Sequence, residues 1–176
     1  VFYGNIYNSK LVTSDFISGS KATEFDFNSS FNGDIKKISF TNLKLDSRNT
    51  QLDASVDFNL PSEGKFSNVR LNFKNLSSSS FELENIYPEI FGSILPSSLK
   101  SFGNFFFKGE LFYNEDRIKS NFSLKNDNGE IYTDLDIFDF EDIDNASYVG
   151  IFRGIDVDLS NFITLPFLEK STFQFT

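Results

Sequence analysis

Apolar and polar residues alternate along most of this chain, most regularly between Leu99 and Phe138. Phe105, Phe107, Leu111 and Tyr113 share one phase, with Lys108 and Glu110 between them. Ile118, Phe122 and Leu124 alternate with Lys119, Asn121, Ser123 and Lys125. Ile131, Thr133, Leu135 and Ile137 alternate with Tyr132, Asp134, Asp136 and Phe138. A period of two sends successive side chains to opposite faces of an extended backbone, so each run predicts a strand with one apolar and one wetter face. The connectors Asn114-Glu115-Asp116-Arg117 and Asn126-Asp127-Asn128-Gly129 are rich in turn formers. Together they predict a three-stranded antiparallel meander.

The rest of the chain largely repeats this pattern. Val1 to Phe16 is strand-like. Phe25, Phe27 and Phe31 oppose Glu24, Asp26, Asn28 and Asn32. Ile38 and Phe40, then Leu43 and Leu45, lead to a turn at Asp46-Ser47-Arg48-Asn49. Leu52, Ala54, Val56 and Phe58 against Gln51, Asp53, Ser55 and Asp57 give the cleanest alternation. Pro61 to Gly64 reads as a turn, and Phe66, Val69, Leu71 and Phe73 as a less regular strand. Between Asn85 and Ser101 the rhythm is broken by Pro88, Gly92 and Pro96, which predicts one or two helical turns packed as a plug or corner. Tyr148 to Phe152 resumes as strand, Pro166 marks a second corner, and Phe173 and Phe175 open another strand.

The runs also match one another. Leu52, Ala54, Val56 and Phe58 align without gaps on Ile131, Thr133, Leu135 and Ile137, and the same offset carries Phe73 onto Phe152 and Leu76 onto Ile155. Phe31-Asn32-Gly33 matches Phe107-Lys108-Gly109, and Gly4 and Ile6 fall on Gly150 and Phe152. This divides residues 1–176 into the tail of one unit (1–23), a unit at 24–100, and a unit at 101–176 that includes the start of the next. Such self-similarity implies supersecondary units stacked along one axis. The expected fold is all-β, with no domain boundary inside the chain.

Composition narrows the chemistry. The 176 residues hold 24 Phe but no Trp, His, Cys or Met. Without His the commonest general base and metal ligand is missing, and without Cys there is no thiolate or disulfide chemistry. The absence of Met leaves no initiator, which predicts a piece of a longer chain. A net charge of −9 opposes binding to nucleic-acid phosphates. No stretch approaches the roughly 20 apolar residues of a membrane span.

No motif points to catalysis, a cofactor or a metal. The acidic residues Asp134, Asp136, Asp139, Glu141, Asp142 and Asp144 lack the spacing and interior Gly of a calcium loop, and read as a solvated face. Carboxylates suited to glycoside hydrolysis sit at ordinary polar-face or turn positions. Gly103, Gly109, Gly129 and Gly150 are scattered rather than gathered into a phosphate loop. The signal that remains is the Phe stripe. Periodicity alone leaves two readings open, a closed β-sandwich core or an open groove with an apolar lining, and favours the first. A buried Phe contributes roughly 1.5–3 kcal/mol, so a dozen cannot simply be left in water.

The Leu95-Pro96 corner, the run from Phe105 to Phe112 (FFFKGELF), Asn126 to Ile137 (NDNGEIYTDLDI) and Tyr148 to Ile163 (YVGIFRGIDVDLSNFI) resemble the AsmA-like superfamily, and within it the TamB (translocation and assembly module) family. The first unit departs from the pattern, with Ser47-Arg48-Asn49-Thr50 in place of the Gly129 turn. The resemblance implies an elongated, curled, mainly antiparallel sheet, taco- or groove-like, with an apolar interior built from stacked repeats. It implies a non-enzymatic role in lipid transfer between inner and outer membrane, in the periplasm of a Gram-negative bacterium, with the full-length protein anchored in the inner membrane. The expected groove lining is Leu52, Val56, Phe58, Phe73, Phe107, Leu111, Phe122, Leu124, Ile131, Leu135, Ile137 and Phe152. Expected partners are phospholipid acyl chains, an outer-membrane barrel protein of the BamA/TamA type, and further copies of the chain through cut strand edges. Twelve to fifteen strands are expected, spanning about 60–70 Å at roughly 4.8 Å each.

Overall fold

A computed structural model describes residues 1–15, 21, 23–59, 68–86, 103–114, 116–139, 146–158 and 170–176. Ten strands follow in order: β1 (Phe2–Val12), β2 (Glu24–Gly33), β3 (Lys37–Asp46), β4 (Gln51–Asn59), β5 (Asn68–Ser79), β6 (Asn104–Asn114), β7 (Arg117–Asn126), β8 (Gly129–Phe138), β9 (Ser147–Asp158) and β10 (Lys170–Phe175). Each pairs antiparallel with its sequence neighbours, giving one ten-stranded sheet in the order β1 to β10. β1 and β10 are its two edges, and the sheet is not closed. A helix, α1 (Ser80–Ile86), follows β5, and a 3₁₀ turn, Thr13–Asp15, follows β1.

The meander predicted around Leu99–Phe138 is β6–β7–β8, with both turns where the turn formers stand. Two expectations are corrected. The strands form one sheet, so the described residues do not build the two-sheet sandwich that periodicity favoured. The described strands number ten rather than twelve to fifteen, and nine spacings of about 4.8 Å give a width of roughly 43 Å. Helix α1 precedes the Pro-containing stretch, of which only Asn85 and Ile86 are among the described residues. It starts at Ser80, with Ser79 Oγ accepting from the Glu82 N–H at 3.2 Å, a cap supplied by the serine run. The predicted stretch beyond Ile86, the Leu95-Pro96 corner, the Pro61–Gly64 turn and the Pro166 corner lie outside the described residues.

Local twists in the alternation have a structural cause. β3 is a single strand, but its register shifts between Phe40 and Leu43 against β4, with Asn42 at φ 51°. Bulges of this kind insert one extra residue, and Asn tolerates the left-handed conformation that results. The shift keeps Ile38, Phe40, Leu43 and Leu45 on one face although their spacing is not a uniform two. Similar shifts fall at Asn8 in β1, between Phe73 and Leu76 in β5, and beside Asp156 in β9.

The internally matched residues share rows of the sheet. Leu52, Leu76, Phe107, Leu124 and Ile131 are successive cross-strand partners, so β4 and β8 stand at one height. Gly4 reaches Gly150 along a row through Phe31, Phe40, Val56, Leu71, Leu111, Ser120 and Leu135. Two matches fail. Phe31 shares a row with Leu111 rather than Phe107, and the β5 bulge puts Leu76 on the apolar face whereas Ile155 points to the polar one.

Buried residues occur in the middle rows of the sheet, at Ser29, Ala54, Ser120 and Thr133, and again at one end. At that end Phe25 and Phe105 are 4% and 6% exposed, near the buried Thr50, Ser78 and Glu82. Thr50 and Ser78 exchange a hydroxyl hydrogen bond at 2.6 Å. There α1 is tied down by Lys21 N–H donating to Asn85 C=O at 2.9 Å and by Asn49 Nδ2 donating to Glu82 Oε2 at 3.5 Å.

Candidate binding surface: the apolar face of the sheet

Paired residues in an antiparallel sheet point to the same side, so register assigns every side chain to a face. All twelve expected lining residues fall on one face. Leu52, Val56 and Phe58 come from β4 and Phe73 from β5. Phe107 and Leu111 come from β6, Phe122 and Leu124 from β7, Ile131, Leu135 and Ile137 from β8, and Phe152 from β9. The face is wider than that set. Phe2, Phe31, Phe40, Leu71 and Phe173 share it, and the alternation already carried this signal. Counting by two loses the phase at each bulge, so alternation alone does not join these residues to the set.

Phe rings form ladders across the face. Phe2, Phe31, Phe40 and Phe58 follow one another at centroid separations of 6.3, 6.2 and 6.1 Å. Phe73, Phe107 and Phe122 stand 5.1 and 5.0 Å apart, and Phe152 and Phe173 are 6.0 Å apart. Cross-strand aromatic pairs of this kind hold neighbouring strands in register.

The degree of burial separates a lining from a core. None of the twelve is buried and none is fully exposed. Among the described residues no large side chain is fully buried. The accessible surface is 11409 Å², where a compact monomer of this mass would expose roughly 8,700 Å². Among the described residues no second sheet or helical layer lies across the face. The strands pack on their sheet neighbours, and α1 packs on β5.

The opposite face is polar and cross-linked by charge. Lys10 bridges Glu24 and Asp26 at 2.8 and 2.7 Å, which raises its pKa. Arg117 grips Asp136 with two hydrogen bonds, Nε to Oδ1 at 2.8 Å and a second from the guanidinium to Oδ2 at 2.7 Å. That bond holds the Asp136 carboxyl below the usual carboxylate range. In the β2–β3 turn, Asp34 Oδ1 accepts from the Lys36 and Lys37 N–H groups, which lowers its pKa too. A broad depression of about 1030 Å³ lies on this polar side over β5 to β10. Accumulated strand twist makes a wide sheet saddle-shaped, so either face can be hollow along one diagonal.

Of the acidic residues read as a solvated face, Asp134 and Asp136 do point to the polar side, and Asp139 follows β8 at φ 53°. Glu141, Asp142 and Asp144 lie outside the described residues. Among the described residues no three His, Cys, Asp or Glu side chains gather as metal ligands, and no helix is long and apolar enough to cross a membrane. The arrangement offers extended apolar contact rather than acid–base chemistry. No protein-family model, curated protein or solved structure matches this chain.

Proposed function

We propose that this chain is a non-enzymatic segment of a bridge-like lipid transfer protein of the TamB type. In this reading the sheet curls into a taco-like groove in the periplasm, and its apolar face shields phospholipid acyl chains between inner and outer membrane. The full-length protein is anchored in the inner membrane of a Gram-negative bacterium. The observation that carries the reading is the single-layer sheet with one continuous, half-buried apolar face. Each half-buried side chain holds back part of the roughly 1.5–3 kcal/mol that full burial contributes, so a flexible apolar ligand along the rows is strongly favoured. At about 43 Å across, the sheet lines one section of a longer path. The test is mass spectrometry of lipids co-purifying with the chain. Phospholipid at a defined ratio, lost on blocking the face, supports the conduit. A lipid-free chain that takes up no phospholipid from vesicles refutes it.

The two sheet edges favour a second reading. β1 and β10 each have one side without a strand partner among the described residues. Such edges accept added strands, so the chain can scaffold outer-membrane protein assembly by β-augmentation, beside a barrel partner of the BamA/TamA type. The same edges provide for self-association. Light scattering that shows a monomer at all concentrations, together with no binding of strand-forming peptides, counts against it.

A further inference from the structure

Strand β9 carries apolar residues on both faces. Tyr148, Gly150 and Phe152 belong to the apolar side, while Val149, Ile151 and Ile155 project from the polar one. Val149 is 65% exposed and Ile151 43%. A strand that is apolar on both sides is the pattern of one covered on both sides. The polar outer face of β4, with Gln51, Asp53, Ser55 and Asp57, shows what a solvated counterpart looks like.

Ile151 and Ile155 line the depression on the polar face, together with Tyr132 of the adjacent strand, which is 38% exposed. Acidic residues of β8 pair with the patch, Asp134 with Ile151 and Glu130 with Ile155, and Glu130 accepts from the Tyr132 hydroxyl at 2.6 Å. The lining of the depression as a whole nonetheless carries an excess of cations. It is lined by Lys74, which pairs with Asp53 at 3.5 Å, and by Lys108, Lys119 and Arg153, against Glu110 and Asp134, in a chain of net charge −9. Glu110 accepts a hydrogen bond from Asn72 at 3.0 Å. Lys108, Lys119 and Arg153 make no ion pair among the described residues. Lys108 and Arg153 stand on either side of Tyr132 in one row, with Ser123 between Lys108 and Tyr132.

We propose that this depression is a docking site for an acidic amphipathic helix of a partner protein. The helix lays its apolar stripe on Tyr132, Ile151 and Ile155, and its flanking carboxylates meet Lys108, Lys119 and Arg153. The backbone groups of β6 to β9 are already engaged with neighbouring strands, so side chains alone are available and strand addition is ruled out here. A helix laid on a sheet face is the common way to cover it. The aliphatic patch favours a protein over an anionic glycan, which would draw on the cations but gain little from Ile151 and Ile155.

The probe is a fluorescein-labelled synthetic helix of about 18 residues, five turns, with Leu along one stripe and Glu elsewhere, titrated into the whole chain by fluorescence anisotropy. Saturable binding should weaken by about tenfold in Arg153→Glu and in Ile151→Asp, and should fall with added salt. Both side chains are exposed, and unchanged melting confirms that each variant folds. Leu135→Arg, on the opposite face, should leave peptide binding unchanged, and Arg153→Glu should leave any co-purified phospholipid unchanged. That separates this site from the lipid reading. Binding unaffected by Arg153→Glu or by Ile151→Asp overturns the proposal, as does loss of binding in Leu135→Arg. Full displacement of the peptide by polygalacturonate, with Ile151→Asp still binding, overturns it in favour of a polyanion patch.

Discussion

The ring of Phe31 lies over Gly4 on the neighbouring strand, so closely that a Cβ on the glycine would stand 2.6 Å from Phe31 Cζ. The two residues are direct cross-strand partners on the apolar face. At the opposite edge Phe173 covers Gly154 in the same way. An aromatic ring laid across a strand glycine shields backbone that would otherwise be open, and fixes the register of the edge.

This pairing makes the effect of Gly4→Ala depend on its partner. In the native chain the added methyl must push the Phe31 ring aside, with an expected destabilisation of about 1–3 kcal/mol. In a Phe31→Ala background the same change should be neutral or stabilising, because Ala is then simply a better strand residue than Gly. Urea unfolding of the four species measures the coupling. Equal effects in both backgrounds would show that the ring does not rest on the glycine.

A buried and a half-buried position on the apolar face should answer differently to charge. Ala54 is 2% exposed, so Ala54→Asp buries an unpaired carboxylate and should cost several kcal/mol or prevent folding. Leu135 is only half-buried, and an arginine there can run its stem over the face and reach water with its head. Leu135→Arg should therefore keep a cooperative melt while losing bound phospholipid. If Leu135→Arg unfolds the chain as Ala54→Asp does, the face is a closed core after all.

Thr133 carries a buried hydroxyl with no hydrogen-bond partner among the described residues, in the row between Phe122 and Phe152. Thr133→Val keeps the branched shape and removes the unsatisfied group. It should raise stability by about 1 kcal/mol, read as a higher urea midpoint at an unchanged slope. A lower midpoint would mean that the hydroxyl has a partner in solution.

Acid should expose the contribution of Asp136. Its pKa is lowered in the folded chain by Arg117, so its stabilising effect is present above the unfolded-state value and is lost as pH falls through the lowered folded value. Native stability should thus decline below about pH 4, the ordinary aspartate range. Asp136→Asn should start lower at neutral pH and show a shallower acid decline. Asp34, held down by the Lys36 and Lys37 N–H groups, contributes in the same direction. Urea midpoints between neutral pH and strong acid check both. An identical decline in Asp136→Asn would remove Arg117 from the account.

Alternation by itself determined the strands from β6 to β8, their turns, the clean strand β4 and the face on which all twelve expected lining residues lie. Period two is a local property, set by the pleat of each strand, and it survives whatever the strand packs against. The bulges were less legible. Ile38, Phe40, Leu43 and Leu45 read as two fragments until Asn42 at φ 51° joined them into β3, because a left-handed residue changes phase without changing composition. Only the tertiary structure decided between one sheet and two. A side chain such as Leu135 alternates identically whether a second sheet, a lipid or solvent stands opposite, since the pattern records which face is apolar and not what covers it. The outward Val149, Ile151 and Ile155 show the same limit from the other side. Their chemistry is plain in the sequence, but their position beside Lys108, Tyr132 and Arg153 follows from register between strands distant in the chain.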